Sequence, residues 1–224
     1  MNIAKRRPTS EVSKRELEQV ARAGGAVLFG VARVPIGVPP AFAGFDRAVV
    51  AAVALSRGVV ASCISEPTRA YAYHYRVVNA TLDHIACRLV SYLEEHGFET
   101  LAVPASQVLD WGDITGAVSH PRLAMLAGLG FIGRHNILVT PTFGAAVRLV
   151  SVFTKAPLAP DAPAGGDCGA CHECRGACPA AAIGETAAAW ARDRCLDQLR
   201  DFKKRITGQY ICGVCVRVCG GPSA

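Results

Sequence analysis

The chain has 224 residues, 51% of them apolar and 19% charged, enough to bury a core and too apolar for a disordered protein. Its longest clear apolar run, residues 48–55, falls far short of the ~20 residues a membrane helix needs, so no membrane span is expected. The net charge of +6 permits an acidic partner but does not demonstrate nucleic-acid binding.

The pair Arg6-Arg7 is followed by Glu11, Lys14, Arg15, Glu16 and Glu18, where an apolar export segment would have to lie. A cytoplasmic, reducing setting is therefore expected, in which clustered cysteines favour metal over disulfides. Residues 11–23 have the pattern of a polar surface helix starting near Ser10. Residues 26–34 and 47–55 are apolar runs of strand length, separated by a Pro/Gly-rich loop at 35–44. From Pro67 onward Tyr71, Tyr75, Val78, Leu82, Ile85, Leu89 and Tyr92 recur in steps of four and three. That spacing predicts one face of a helix running to Gly97. Residues 98–103 form another strand. Ser119-His120-Pro121 opens a helix with Ser119 as its cap, ending in the glycines at 128–133. Residues 137–140 and 146–153 read as a hairpin around Pro141-Thr-Phe-Gly144. Strands alternating with helices predict an α/β or α+β layer domain over residues 1–158. The proline-rich stretch 156–166 marks a seam, and residues 159–224 form a second, smaller domain organised by cysteine.

Cys168-x2-Cys171-x2-Cys174-x3-Cys178-Pro179 has the spacing that wraps three thiolates around a four-iron cubane and sends the fourth to a second cluster. Cys195, Cys212, Cys215 and Cys219 complete eight, the number two such clusters require. The crossed arrangement implies one cluster on Cys168, Cys171, Cys174 and Cys219, and another on Cys178, Cys195, Cys212 and Cys215. Zinc is the alternative, because C-x2-C pairs also bind it tetrahedrally. Three cysteines at two-residue gaps followed by Cys-Pro fit the cubane better. Cys63 and Cys87 fall outside the pattern and are expected to be structural thiols. His172, inside a ligand loop, is expected to tune its cluster and not to ligate it.

Gly128-Leu-Gly130-Phe-Ile-Gly133 matches G-x-G-x-x-G, but a helix precedes it and strands follow, so a dinucleotide site is rejected. The glycines permit either a tight turn or close approach of backbone to a flat ligand. His84, His96 and His135 carry no functional expectation. Residues 127–134, the segment ending Phe153-Thr-Lys-Ala-Pro-Leu158 and the dicluster tail together resemble the epoxyqueuosine reductase family, including its short versions, and more distantly the reductive dehalogenases. The resemblance covers residues 66–219 and is strongest from 119 onward. It implies a nitroreductase-like, cobalamin-binding α/β domain, a small ferredoxin-like C-terminal domain with two four-iron clusters, and electron delivery to cobalt from a donor of ferredoxin or flavodoxin type. His120, Gly128, Gly130, Phe131 and Gly133 would face the cofactor, with Phe131 replacing the family's tryptophan.

The sequence departs from the family in two places. The tRNA-modifying members carry an Asp-Tyr-His segment whose aspartate donates a proton; here Ala70-Tyr-Ala-Tyr-His-Tyr-Arg76 has no acid. Tyr73, His74 and Tyr75 are then the candidate proton sources. The sequence also ends five residues after Cys219 without the helical-repeat extension, and Gly220 stands in place of a proline, so tRNA is not expected as a substrate. The expected activity is an iron–sulfur oxidoreductase passing electrons to cobalamin or to a small substrate. The rivals are a non-catalytic electron carrier, a protein that handles a partner's corrinoid, and a short epoxyqueuosine reductase.

Overall fold

The computed structural model describes residues 12–35, 38–112 and 114–221. The chain divides into two compact units that interleave along the sequence. The first holds residues 1–53, 79–129 and 149–164; the second holds 54–78, 130–148 and 165–224.

The first unit is built on a mixed α/β layer, as expected. Strands β1 (Leu28–Arg33), β2 (Arg47–Ala54), β3 (Thr100–Val103) and β6 (Val147–Thr154) form a sheet in the order β1-β2-β6-β3. β1 runs antiparallel to β2 with Leu28 opposite Ala52, and β3 antiparallel to β6 with Thr100 opposite Thr154. The two central strands are buried along nearly their whole length, which is why their sequences are continuous apolar runs and do not alternate. The edge strands are only partly buried.

Helix α1 (Lys14–Ala23) starts at Ser13, whose hydroxyl accepts from the Arg15 N–H. The expected start near Ser10 lies outside the described residues. α1 buries Leu17 and Ala21 and ends at Gly24, where a Cβ would lie 2.6 Å from Ile85. Ile85 belongs to the long helix α3 (Arg69–Glu95), whose predicted stripe buries Leu82, Ile85 and Leu89 completely. A short helix that the sequence did not announce, α2 (Arg57–Ala61), precedes it. α4 (His120–Leu126) opens on the expected Ser119 cap, which accepts from the Arg122 N–H.

Two expectations fail here. Residues 137–140 do not pair with 146–153. Instead β5 (Leu138–Val139) pairs with β4 (Phe131–Ile132), and β6 goes into the large sheet. The proline-rich segment is also no loose seam at 158. The Asp161 carboxylate accepts from the Val31 N–H at 2.8 Å and pairs with Lys14. The Asp161 N–H donates to Val31 O at 2.8 Å, and the Ala164 N–H to Met125 O at 2.9 Å. The segment is thus bonded to β1 at Val31 and to α4 at Met125, and the division falls after Ala164.

The second unit contains the β4–β5 pair and three helices of the cysteine segment: α5 (Glu173–Ala177), α6 (Arg192–Phe202) and α7 (Val214–Val218). α5 packs on α7, and α2 also touches α7. The cysteine segment therefore shares its unit with residues 54–78 and 130–148, where the sequence suggested a self-contained domain at 159–224. The Arg134 guanidinium donates to Gly169 O at 2.9 Å, the Ala145 N–H to Cys219 O at 3.3 Å, and the Gln209 amide to Ala72 O at 2.9 Å.

Candidate functional site

Cys174 is buried in α5, Cys195 lies in α6 and Cys215 in α7; the other thiols stand on the loops around these short helices. Burial pushes the Cys174 thiol up to about 11, and the neighbouring Cys219, Cys168 and Cys171 push in the same direction. Cys219 is likewise raised, first by burial and then by Cys168 and Cys171, while the Gly221 and Ala145 N–H groups favour its thiolate. Burial pushes Cys212 up to about 11, with Cys195, Cys178 and Cys63 as contributing neighbours. Cys215 is raised by burial and then by Cys212, Cys195, Cys178 and Cys174. Cys168 and Cys171 thus act on both Cys174 and Cys219, and Cys178 and Cys195 on both Cys212 and Cys215. Cys174 also acts on Cys215.

Thiols held at such values keep their protons until a cation compensates the charge, which is the chemistry of a metal-binding donor set. Among the described residues no three His, Cys, Asp or Glu side chains converge closely enough to hold one metal ion. A four-iron cubane takes each thiolate at a different corner, so two loose groups of four suit it. His172 engages Glu185, at 3.6 Å from Nδ1, and Arg175 pairs with the same carboxylate. A cavity of about 400 Å³ opens beside Cys168, lined by Ile132, Arg134, Asp167, Glu185 and Thr186 among others.

The residues expected to face a corrinoid are occupied by the protein itself. The close approach that the glycines permit is to backbone. A Cβ at Gly130 would lie 2.1 Å from Val139 O, and one at Gly128, where φ is +77°, 2.9 Å from Ala162 O. At Gly133 it would meet Val139 and His135 at 2.7 and 2.9 Å. Phe131 is buried with its ring against Gly166. His120 has both ring nitrogens engaged, Nε2 donating to Pro104 O at 3.2 Å and Nδ1 accepting from the Ser151 hydroxyl at 2.8 Å. These five residues do not form a cradle for a flat ring, and no step below is routed through cobalamin. Gly130→Val is accordingly expected to unseat the β4–β5 pair, destabilising the protein by about 1–3 kcal/mol as overpacking does. Equilibrium unfolding checks this; unchanged stability with lost ligand affinity would restore the ligand-facing reading.

The three candidate proton sources separate clearly. Tyr73 is 66% exposed, with Arg76 over its ring at 5.9 Å. His74 Nε2 accepts from the Ser56 N–H at 2.9 Å, so that nitrogen carries no proton, and burial lowers the imidazole below its ordinary value. Tyr75 is half-buried, with the Arg148 guanidinium 4.1 Å above its ring. Arg148 escaped the sequence reading, because nothing in a strand-like run marks one arginine as the cover of a distant tyrosine. Cys63 and Tyr71, both buried, also lie within electrostatic reach of Cys212 and Cys215 respectively.

The described residues thus comprise a mixed α/β layer and a second, cysteine-rich unit. No family model matches the chain. It is 32% identical over 114 residues to the epoxyqueuosine reductase of Bacillus subtilis, covering 47% of this chain and 29% of that one. It is 28% identical over 192 residues to the tetrachloroethene reductive dehalogenase of Sulfurospirillum multivorans, covering 78% and 35%. A solved epoxyqueuosine reductase bound to an epoxyqueuosine-modified tRNA-Tyr stem loop matches 94% of this chain and 65% of that one, with a TM-score of 0.61 and 22% identity, a likeness of fold. Solved reductive dehalogenases share the fold as well. The chain is epoxyqueuosine reductase-like in both sequence and fold, as its motifs suggested, and its curated relatives are reductases. The aligned region amounts to 18–35% of the first three of them. No helix among the described residues is long and apolar enough to cross a membrane.

Proposed function

We propose that the chain is a cytoplasmic iron–sulfur reductase, holding one four-iron cluster on Cys168, Cys171, Cys174 and Cys219 and another on Cys178, Cys195, Cys212 and Cys215. The observation that supports this reading is that Cys168 and Cys171 both act on Cys174 and Cys219, while Cys178 and Cys195 both act on Cys212 and Cys215. When bound, such clusters supply one-electron transfer from a donor of ferredoxin or flavodoxin type. The protein's own contribution is to fix the loops that carry the thiols through Arg134, Ala145 and Gln209, and to supply a proton to a small substrate undergoing reduction.

Tyr75 is the proton source in this reading. Its phenol has a proton to give, Arg148 lies over its ring, and His74 Nε2 is committed as an acceptor. Anaerobic protein given a chemical reductant is expected to reduce a small acceptor substrate. Tyr75→Phe should lower turnover at least tenfold, without changing iron content or cluster reduction. Equal turnover in the variant would make the chain a carrier whose partner does the chemistry. Adding cobalamin to the same assay tests the corrinoid that the resemblance implies.

The second reading, reduction of epoxyqueuosine in tRNA, is favoured by the names of the relatives and by the tRNA stem loop bound to one of them. Efficient conversion of epoxyqueuosine-tRNA by the wild-type chain would put that reading first.

A further inference from the structure

The first turns of α3 have two opposite faces. On the inner one Tyr71, 3% exposed, lays its ring against the loop Cys212-Gly213-Val214-Cys215; a Cβ at Gly213 would lie 2.7 Å from its Cζ. The Gln209 amide ties the same stretch of helix down by donating to Ala72 O at 2.9 Å. Two residues along a helix turn it by about 200°, so Tyr73 points the other way, and it is 66% exposed. Val77, one turn further, is exposed as well, and so is Ile64, in a loop closed by the Ser62 and Thr68 hydroxyls at 2.9 Å. Three of the five large apolar side chains exposed among the described residues thus fall between 64 and 77, in the second unit. Arginines accompany them. Arg69 stands one turn before Tyr73, Arg76 lies over the Tyr73 ring at 5.9 Å, and Arg205 reaches Glu66 at 3.4 Å. Glu66 is the only acidic residue from 54 to 78, so Arg57, Arg69 and Arg76 leave that segment with an excess of positive charge. Arg69 also opens α3 at the positive end of its dipole, in a first turn without an acidic residue, so helix stability does not account for it. Exposed apolar and aromatic side chains set among arginines, with no lysine in the segment, have the composition of a protein interface.

We infer that this face, made of Ile64, Arg69, Tyr73, Arg76, Val77 and Arg205, docks a small acidic protein that donates one electron. The inference rests on the two-cluster reading made above and gives it a point of entry. Charge selects the occupant, because an excess of arginine attracts a negatively charged surface and speeds its encounter. Position selects its role: a single helix, about 10 Å across, separates the face from the loop that carries Cys212 and Cys215. Six side chains are few for a permanent interface and suit a carrier that binds briefly and leaves. One electron leaves the reduced carrier and enters the cluster on Cys178, Cys195, Cys212 and Cys215; no bond forms or breaks and no proton moves. Tyr75, whose ring lies 6.4 Å from that of Tyr71, belongs to the inner side of the helix, so the donor approaches from the side away from the proton source.

The test is stopped-flow reduction of the anaerobic holoprotein by reduced flavodoxin, an acidic one-electron carrier. Photoreduced deazaflavin, a small reductant that needs no docking, is the control. The wild-type rate with flavodoxin should fall at least about tenfold between about 20 and about 300 mM salt. Arg69→Glu combined with Arg76→Glu should slow it at least about tenfold at low salt and flatten its salt dependence. Ile64→Asp should raise the flavodoxin concentration needed for half the maximal rate. Both variants should keep the iron, the sulfide and the deazaflavin rate of the wild type. Wild-type behaviour of both variants with flavodoxin, a rate indifferent to salt, equal slowing with deazaflavin, or no transfer from flavodoxin to a wild type that deazaflavin reduces would each overturn the docking face. So would a wild-type dimer that Ile64→Asp turns into a monomer, which assigns the face to a second copy. Loss of tRNA stem-loop binding in the arginine variant, with flavodoxin transfer intact, would assign it to RNA and overturn it too. A wild-type chain without iron or sulfide would instead overturn the two-cluster reading, and this inference with it.

Discussion

Cys219→Ala is expected to remove about four of the about eight irons carried by anaerobically prepared wild-type protein. The cluster lost should be the one on Cys168, Cys171 and Cys174. Cys219 stands four residues from Cys215 and 45 from Cys174 in sequence, yet its thiol answers to Cys168 and Cys171. Its position is fixed by the Ala145 N–H and by Gly144, where φ is +52° and a Cβ would lie 2.0 Å from Cys219 O. Iron and sulfide analysis, with the spectrum of the surviving cluster, reads the result. Loss of the cluster on Cys178, Cys195, Cys212 and Cys215 would refute the crossed assignment. Two zinc ions without acid-labile sulfide would refute iron altogether.

Acid should weaken the second unit through His135. This side chain is 4% exposed, its Nδ1 accepts from the Ile137 N–H at 3.3 Å, and its Nε2 is buried without a hydrogen-bond partner. Burial lowers its pKa from 6.5 to about 4. The unfolded chain therefore binds a proton, between those two values, that the folded chain refuses. The stability is complete above pH 6.5 and is lost as pH falls towards 4. At ~1.4 kcal/mol per pKa unit the loss is about 2 kcal/mol by pH 5 and about 3 kcal/mol below pH 4. Denaturant unfolding at pH 7.5 and 5 should show this slope in the wild type and a flatter one in His135→Gln. Parallel slopes would show that His135 is not the group responsible.

What the sequence revealed and what it hid follow from how far each signal reaches. The stripe of α3 and the Ser119 cap are local, repeated patterns and were found where expected. The cysteine spacing is equally local, so all eight candidates and the crossed assignment proposed for them could be named from it and from the proline after Cys178. β4 and β5 have two residues each, too short for any period, so residues 137–140 were given to the wrong partner. A signal against that hairpin existed: 146–153 is apolar without alternation, the mark of a strand covered on both faces. The surroundings of the site were hidden for a different reason. Tyr71, Cys63 and Arg148 reach the second unit from segments far from the cysteines, and the only local trace of the first was that residue 213 has no side chain.

On the crossed assignment proposed above, the thiols also set a timetable for the making of the protein. At ~5–20 residues per second, the 45 residues between Cys174 and Cys219 take roughly 2–9 s to synthesise. During that interval three thiols of the first group have been made and the fourth has not. The turn at Gly144 that will receive Cys219 has by then been made, so what is missing is a ligand and not the place for it. A growing chain in this state is an open tridentate trap for any soft metal ion in the cell. Correct loading then depends on iron and sulfide arriving after Cys219, or on a chaperone that occupies the three early thiols until it does.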